Sequence, residues 1–360
     1  MTTDALPVSI VRGGTSRGVF LRIRDLPREP SARDALCVAL IGSPDPLAVD
    51  GLGGGASSNS KIMAVDVPEG ITGLPGAEGC PDDVDLVTLF AQVDPRRPSV
   101  DLSGNCGNLS AAASAYALSR GLVRGVGERC SVRVWNMNTR SVYELEHELS
   151  GGVLPRSGDF SMPGVLADGP RIDMRFEAPG GEQTGAALPC GPVSFLPGAG
   201  LEASLVDITN PLVLVRAEDV GLPAGATPEE LNARTEVLDR LEVLRKEAGR
   251  RMGLPASAAI PKVSCLNHAE GSHEVGVRTT SLGVFHHAIP VTAAVAIGGA
   301  SALGGTLLDE FAVPTSDGDL LISQPKGTVT TTARASQGRV QSAGIARTAR
   351  IIADAVVHPA

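Results

Sequence analysis

Apolar residues in the first half of the chain come in short runs, separated by glycine, proline and small polar residues. The runs are PVSIV (7–11), GVFLRI (18–23), KIMAVDV (61–67), DLVTLFAQVD (85–94), SVRVWNM (131–137) and SVYELEHEL (141–149). Runs of this length, bounded by turn formers, predict strands. The second half repeats the style with SLVDI (204–208), PLVLVRA (211–217), KVSCL (262–266), EVGVRTTSL (274–282) and late strands such as TVTTTARA (328–335).

Two segments read as ordinary surface helices. One covers 31–42, with Ser31 able to cap its start and Gly42 its end. The other runs from about 228 to 252, with Thr227 as N-cap, Pro228 at the first position, acids in the first turn and Gly253 as the stop. Two more are different in kind. NLSAAASAYALSRG (108–121) carries no charge until Arg120, and VTAAVAIGGASALGG (291–305) carries none at all. A helix that is apolar all round must be surrounded by protein, and these are too short to span a bilayer. Alanine, serine and glycine let a sheet approach such a helix closely.

Each half thus holds many strands and one small uncharged helix. The economical arrangement is an α+β chain of two similar domains, each a curled sheet around its own central helix, with the two helix N-termini facing across a cleft. No residue-level repeat links the halves, and the likeness is one of pattern. The boundary falls within EAPGGEQTGAALPCGP (177–192), giving domains 1–184 and 185–339.

Composition narrows the class. At 360 residues the chain exceeds one ordinary core, and 42% hydrophobic with 20% charged residues is the balance of a soluble globular protein. A net charge of −9 and a pI near 5.2 argue against nucleic acid or an anionic membrane as partner. An anionic substrate must then be held by local features. The start, MTTDALPVSIVRGG, lacks the pattern of a signal peptide. Cys37, Cys80, Cys106, Cys130, Cys190 and Cys265 are scattered without C-x-x-C or Cys/His spacing. That is neither a disulfide framework nor a metal site, and it suits reduced thiols in a cytoplasm.

The candidate chemistry centres on LSGNCGNLSAAASAYAL (102–118). A buried helix leaves its first N–H groups unsatisfied at the positive end of its dipole, a seat for an anion. Gly104 and Gly107 allow close approach, and Asn105 and Asn108 add amide donors. The same dipole favours the thiolate of Cys106. The arrangement suits holding a carboxylate while a thiol exchanges a proton at the neighbouring carbon, although a small buried cysteine in a tight turn also fits the residue alone. VDGLGGGASSNSK (49–61) offers Gly51, Gly53, Gly54 and Gly55 as a pliable anion-binding loop, with Ser57, Ser58, Asn59 and Ser60 along it and Lys61 at its end. A surface loop with a solvated lysine is the plainer alternative. It is not a phosphate-binding P-loop, since G-x-x-x-x-G-K-[ST] is absent. VRGGTSRGVF (11–20) carries Arg12, Thr15, Ser16 and Arg17 on a glycine turn, either a simple hairpin or one whose Ser16 bonds a carboxylate. In the second half, VRTTSLGVFHHAIPVTAA (277–294) supplies Arg278 as a carboxylate clamp, His287 as a binding residue and Thr292 at the second helix N-terminus. Arg278 and His287 fit structural roles equally well.

Taken together, RGGTSRG, DGLGGGASSNSK and SGNCGN resemble the PrpF-like tricarboxylate isomerases. These comprise 2-methylaconitate cis–trans isomerase, methylitaconate Δ-isomerase and 4-oxalomesaconate tautomerase. The likeness continues through SLVDITNPLVLV (204–215), HHAIPVTAA (286–294), GGTLLD (304–309) and ARTARII (346–352). It implies the diaminopimelate-epimerase-like fold, with about 340–360 returning to the first domain. It also implies an enzyme without metal or organic cofactor. By this resemblance the catalytic pair is Lys61 and Cys106, either of which can be base or acid. The carboxylate-binding positions are then Thr15, Ser16, Gly54, Ser57, Ser58, Asn59, Ser60, Asn105, Gly107 and Asn108. The loop reads SSNSK where SSTSK is common. SQPKG (323–327) stands where H-P-S-G is usual, a departure at Lys326 that bears on substrate choice.

The reaction implied is proton transfer within a small unsaturated tricarboxylate, through a dienolate held by an oxyanion hole. Keto–enol tautomerisation of 4-oxalomesaconate and a non-catalytic tricarboxylate-binding role are the alternatives. An amino-acid racemase with two opposed cysteines is disfavoured, because HHAIPVTAA has no cysteine. Exposed strand edges suit a homodimer.

Overall fold

A computed structural model describes residues 5–71, 73–223, 225–269, 271 and 273–359. The chain divides into two compact units, Met1–Met174 with Ala346–Ala360, and Arg175–Ile345. The sequence reading placed the first division at 184/185. In the structure the glycine-rich stretch after Glu177 is folded rather than a linker. The backbone N–H groups of Gln183 and Thr184 donate to Asp207 Oδ2 at 2.9 and 2.7 Å, and Thr184 Oγ1 donates to the same oxygen at 2.8 Å.

In the first unit the strands Leu6–Gly13 and Ser16–Arg22 form an antiparallel hairpin. Ser16–Arg22 lies parallel to Lys61–Asp66, which pairs antiparallel with Leu86–Val93. Leu86–Val93 lies parallel to Arg129–Asn136, which pairs antiparallel with Ser141–Glu148. The chain end returns as Ala349–Val357, antiparallel to Leu6–Gly13. Every residue of Lys61–Asp66 and Leu86–Val93 is buried, because both faces are covered. The helix Pro30–Ile41 contributes Cys37, Leu40 and Ile41 to a core with Ile62, Ala64, Val87 and Leu89. The small-residue helical segment packs on the same two strands.

The second unit repeats this topology. Leu201–Ile208 and Asn210–Arg216 form the antiparallel hairpin, followed by parallel Lys262–His268 and antiparallel Glu274–Ser281. Asp319–Gln324 then lies parallel to Glu274–Ser281 and pairs antiparallel with Gly327–Ser336. In both units an outer helical segment follows the second strand of this series, and the buried helix follows the fourth. Val291–Leu303 is the buried helix, its residues Val291 to Ser301 wholly enclosed. Gly298 shows why its small residues matter, since a Cβ there would lie 2.6 Å from Thr331 Oγ1.

Three helix boundaries differ from the sequence reading. The first helix is capped by Glu29 rather than Ser31. The Glu29 carboxylate accepts from Ala32 N at 2.7 Å and from Ser31 Oγ at 2.5 Å, while Gly42 ends the helix at φ 79° as expected. The segment read as one helix over 228–252 is Pro228–Asn232 followed by Thr235–Arg251. Thr227 does cap it, in a reciprocal capping box with Glu230. The break follows Asn232, whose carboxamide accepts from the N–H of Phe285 at 2.7 Å and donates to its C=O at 3.2 Å, tying this end of the helix to Phe285. The helix read over 108–121 is Gly107–Ser110 and Ala113–Ser119, so Cys106 heads a four-residue segment. None of the helices among the described residues is long and apolar enough to cross a membrane.

Candidate active site in the first unit

The glycine hairpin is pressed onto the start of the small-residue segment. A Cβ on Gly13 would lie 2.1 Å from Asn108 O, and one on Gly14 only 2.0 Å from Asn108 Oδ1. Gly14 also has φ +49°, so a side chain is excluded on two counts. This contact places Thr15 and Ser16 against Asn108. Its Nδ2 donates to Thr15 Oγ1 at 3.1 Å and Ser16 Oγ at 3.3 Å, and its Oδ1 accepts from Thr15 N at 3.4 Å. Gly18 plays the same part for Lys61, since a Cβ there would meet Leu109 Cδ1 at 2.6 Å and Lys61 O at 2.9 Å.

Lys61 opens its strand and is only 7% exposed. Its Nζ donates to Gln92 Oε1 at 2.6 Å and lies 5.2 Å from the centre of the Phe90 ring. Among the described residues no carboxylate pairs with it. Gln92 is held in turn, its Nε2 donating to Ser60 O at 3.0 Å and Ser60 Oγ at 3.2 Å. Gln92 was not singled out from the sequence, although a carboxamide in the mostly apolar run LVTLFAQV was a readable signal.

Cys106 is buried at the N-cap of its short helix. Its N–H donates to Asn105 Oδ1 at 2.6 Å, and the same oxygen accepts from Ser110 Oγ at 2.9 Å, so Asn105 braces the turn. Elsewhere burial pushes the thiols of Cys37 and Cys265 up to about 12 and raises those of Cys80 and Cys130. Those four are protonated packing residues.

The loop before Lys61 is less pliable than its glycines suggest. The N–H groups of Gly51, Leu52, Gly53, Ala56 and Asn59 are all bonded within the protein. Gly54 lies against the Asn59 carboxamide, whose Oδ1 accepts from Ala56 N at 3.1 Å. Ser60 is fully buried, its hydroxyl donating to Ala56 O at 3.1 Å. Ser57 serves through its carbonyl, which accepts from Gln92 Nε2 at 3.3 Å. Arg17 locks the loop to the hairpin, its N–H donating to Ser58 O at 2.9 Å and its Nη2 to Gly53 O at 3.0 Å.

Thr15, Ser16, Ser58 and Asn59 line a cavity of about 1150 Å³ within this unit, together with Arg12, Arg17 and Arg350. Lys61 and Cys106 are not in its lining. Burial, then the neighbouring Arg350, holds the Arg12 guanidinium below its ordinary value, and Arg156, Asp168 and Asp354 share the cavity lining. Among the described residues no group of three His, Cys, Asp or Glu is placed to hold a metal.

Arg278, His287 and Thr292 belong to the second unit. Arg278 is held below its ordinary value by burial and donates to Ala226 O at 3.2 Å and Val277 O at 3.0 Å. His287 stacks on His286 at 4.5 Å. Thr292 heads the buried helix, its Oγ1 accepting from Asn210 Nδ2 at 3.3 Å and its carbonyl from Thr209 Oγ1 at 3.0 Å. Lys326 is exposed on the two-residue turn between Asp319–Gln324 and Gly327–Ser336, while Gln324 is buried.

Comparison with known proteins agrees with this architecture. Residues 4–359 match the profile of a family described as PrpF protein. A 2-methyl-aconitate isomerase of Shewanella oneidensis is 33% identical, covering 97% of this chain and 95% of that protein. A 4-oxalomesaconate tautomerase of Pseudomonas putida is 32% identical, covering 99% and 97%. The crystal structure of a methylitaconate Δ-isomerase superposes with a TM-score of 0.76 at 28% identity, covering 99% of this chain and 96% of that one.

Proposed function

This chain belongs to the PrpF family and is an isomerase of the diaminopimelate-epimerase-like fold, and we propose that it moves a proton within an unsaturated tricarboxylate. The observation that carries this reading is the buried Lys61 amine, whose hydrogen-bond partner is the neutral carboxamide of Gln92. The carboxamide oxygen orients the amine through this hydrogen bond. In its neutral form the amine takes a proton from a carbon next to a double bond or carboxylate. The electron pair left behind delocalises into a dienolate, and its oxygens are met by donors at Thr15, Ser16 and the Asn105–Asn108 turn. Cys106 returns a proton at another carbon, which shifts the double bond, or the bond rotates before it re-forms. The roles of Lys61 and Cys106 exchange for the opposite direction.

The substrate class in this reading is the 2-methylaconitate or aconitate type, supported by the 33% identity to the Shewanella enzyme. The tautomerase relative, nearly as similar, supports 4-oxalomesaconate as the second reading. The cysteines, all free, fit a cytoplasmic setting. The half-exposed Ile352 and Val356 on the last strand suit a homodimer, checked by light scattering.

Proton NMR in D₂O tests the reading, using 2-methyl-trans-aconitate, trans-aconitate, methylitaconate and 4-oxalomesaconate with the wild type and Lys61→Ala. Deuterium uptake or new vinyl signals from one acid, lost in the folded variant, are the expected result. Binding without solvent exchange in any of the four would overturn catalysis in favour of a binding-only role. Turnover retained by folded Lys61→Ala would remove Lys61 from the mechanism.

A further inference from the structure

Arg347 is 4% exposed at the end of the strand Arg339–Arg347. Among the described residues its guanidinium makes one hydrogen bond, from Nη1 to Ala346 O at 2.9 Å. Among the same residues its Nε is buried without a partner, and no carboxylate pairs with the group. A guanidinium stays protonated in proteins, and a buried charge without a counter-charge is costly. Burial alone lowers this group to about 9, the mark of a cation that the protein itself leaves uncompensated.

Its place in the fold is specific. Arg347 Cδ lies 3.4 Å from where a Cβ on Gly14 would be, and the nearest neighbour of that same position is the Asn108 carboxamide. The next residue is fixed to the turn, since Gly14 N donates to Thr348 O at 2.9 Å. Thr348 is fully buried, and its Oγ1 also lacks a partner. Arg12 Nη1 donates to Thr348 O at 2.9 Å, and the cavity that Arg12 lines carries Arg17, Arg156 and Arg350 against two carboxylates, Asp168 and Asp354, neither of which pairs with Arg347.

We propose that Arg347 is the buried anchor for one carboxylate of the substrate, receiving it beside Asn108, Thr15 and Ser16. The inference rests on the tricarboxylate reading above and names a group outside its proton-transfer pair. A planar fork matches a carboxylate with two parallel N–H bonds, which an ammonium cannot do. The bound carboxylate supplies the counter-charge that the protein withholds, so ligand binding and relief of the buried cation are one event.

The test uses propane-1,2,3-tricarboxylate, a saturated probe that cannot isomerise, with calorimetry and thermal melting of the full chain. Wild type, Arg347→Met and Arg347→Lys are compared. The expected result is binding weakened about 100-fold in Arg347→Met and less in Arg347→Lys, with the ligand-free melting temperature of Arg347→Met unchanged or raised. Wild-type affinity in Arg347→Met overturns the proposal. If Arg347→Met fails to fold, Arg347→Lys decides, and undiminished affinity there overturns it too. A turnover assay of Arg347→Lys separates anchoring from a structural role, with a raised KM and retained kcat expected. A lowered melting temperature with unchanged KM would assign Arg347 to structure alone. Wild type that neither binds the probe nor turns over any tricarboxylate would sink the parent reading. In that case loss of sulfate-induced stabilisation in Arg347→Met still supports a buried anion seat, and an equal sulfate response overturns it.

Discussion

Lys61 and Gln92 stand opposite each other in adjacent antiparallel strands, and their side chains meet with Nζ donating to Oε1 at 2.6 Å. The carboxamide is itself fixed by the Ser60 carbonyl and hydroxyl, so the amine inherits its position from the glycine–serine loop.

Gln92→Ala should therefore lower kcat by about 10- to 100-fold with little change in KM, because it frees the amine without touching the carboxylate contacts. Gln92→Glu should lower kcat further, since a carboxylate holds the amine as ammonium. Steady-state kinetics of both variants, with circular dichroism to confirm folding, check the pair. A normal kcat in Gln92→Ala would show that Lys61 is positioned by other means.

Gly14→Ala should damage stability and binding together. Its φ of +49° and the 2.0 Å approach of Asn108 Oδ1 leave no room for a methyl group. We expect a loss of about 1–3 kcal/mol in urea unfolding and a raised KM, as Asn108 is displaced from Thr15 and Ser16. A variant with full stability would mean that the hairpin shifts freely against the helix.

His147 should make the first unit acid-sensitive. Burial lowers its imidazole to about 4, and among the described residues neither ring nitrogen has a partner. Below an unfolded value near 6.5 the unfolded chain takes a proton that the folded chain refuses. Stability is then fully present above about pH 6.5 and lost as pH falls towards about 4, by roughly 3 kcal/mol in all. Urea unfolding of wild type and His147→Leu at about pH 7 and about pH 4.5 should show a smaller acid loss in the variant. Equal losses would exclude His147 as the cause.

Glu182 should act in the opposite sense in the second unit. Burial first, and then nearby Asp207, raises its carboxyl to about 7. Its folded value lies above its unfolded one, so its contribution is present below the ordinary carboxylate range and lost as pH rises through about 7. Glu182→Gln keeps the shape and removes the charge. Its melting temperature should gain on that of wild type as pH rises from the ordinary carboxylate range to about 7 and keep that margin above it, and parallel pH profiles would refute the assignment.

Much of this was legible along the chain. The apolar runs marked most of the longer strands, because burial of alternate or all positions leaves a local pattern. The two uncharged helices were visible for the same reason, since a segment enclosed on all sides has no place for charge. The helix interruption after Asn232 was not legible, since the Asn232 carboxamide is anchored to Phe285, a partner distant in sequence. Nor was the Glu29 cap, where a carboxylate one position before proline took the place of the neighbouring serine. The return of the chain end as Ala349–Val357 was expected only through the family resemblance, because strand pairing between the two ends leaves no local mark.

By itself, then, the sequence determined where short strands and two enclosed helices lie and which residues bear reactive groups, Lys61 and Cys106. Those properties belong to single side chains and to short periodicities. The tertiary structure alone decided the company those residues keep. It set Gln92 against Lys61 across a strand pair, and it seated Arg347, from the far end of the chain, under the Gly14 turn without a counter-charge. Orientation and desolvation depend on groups that meet only when the sheet closes, so no local pattern records them.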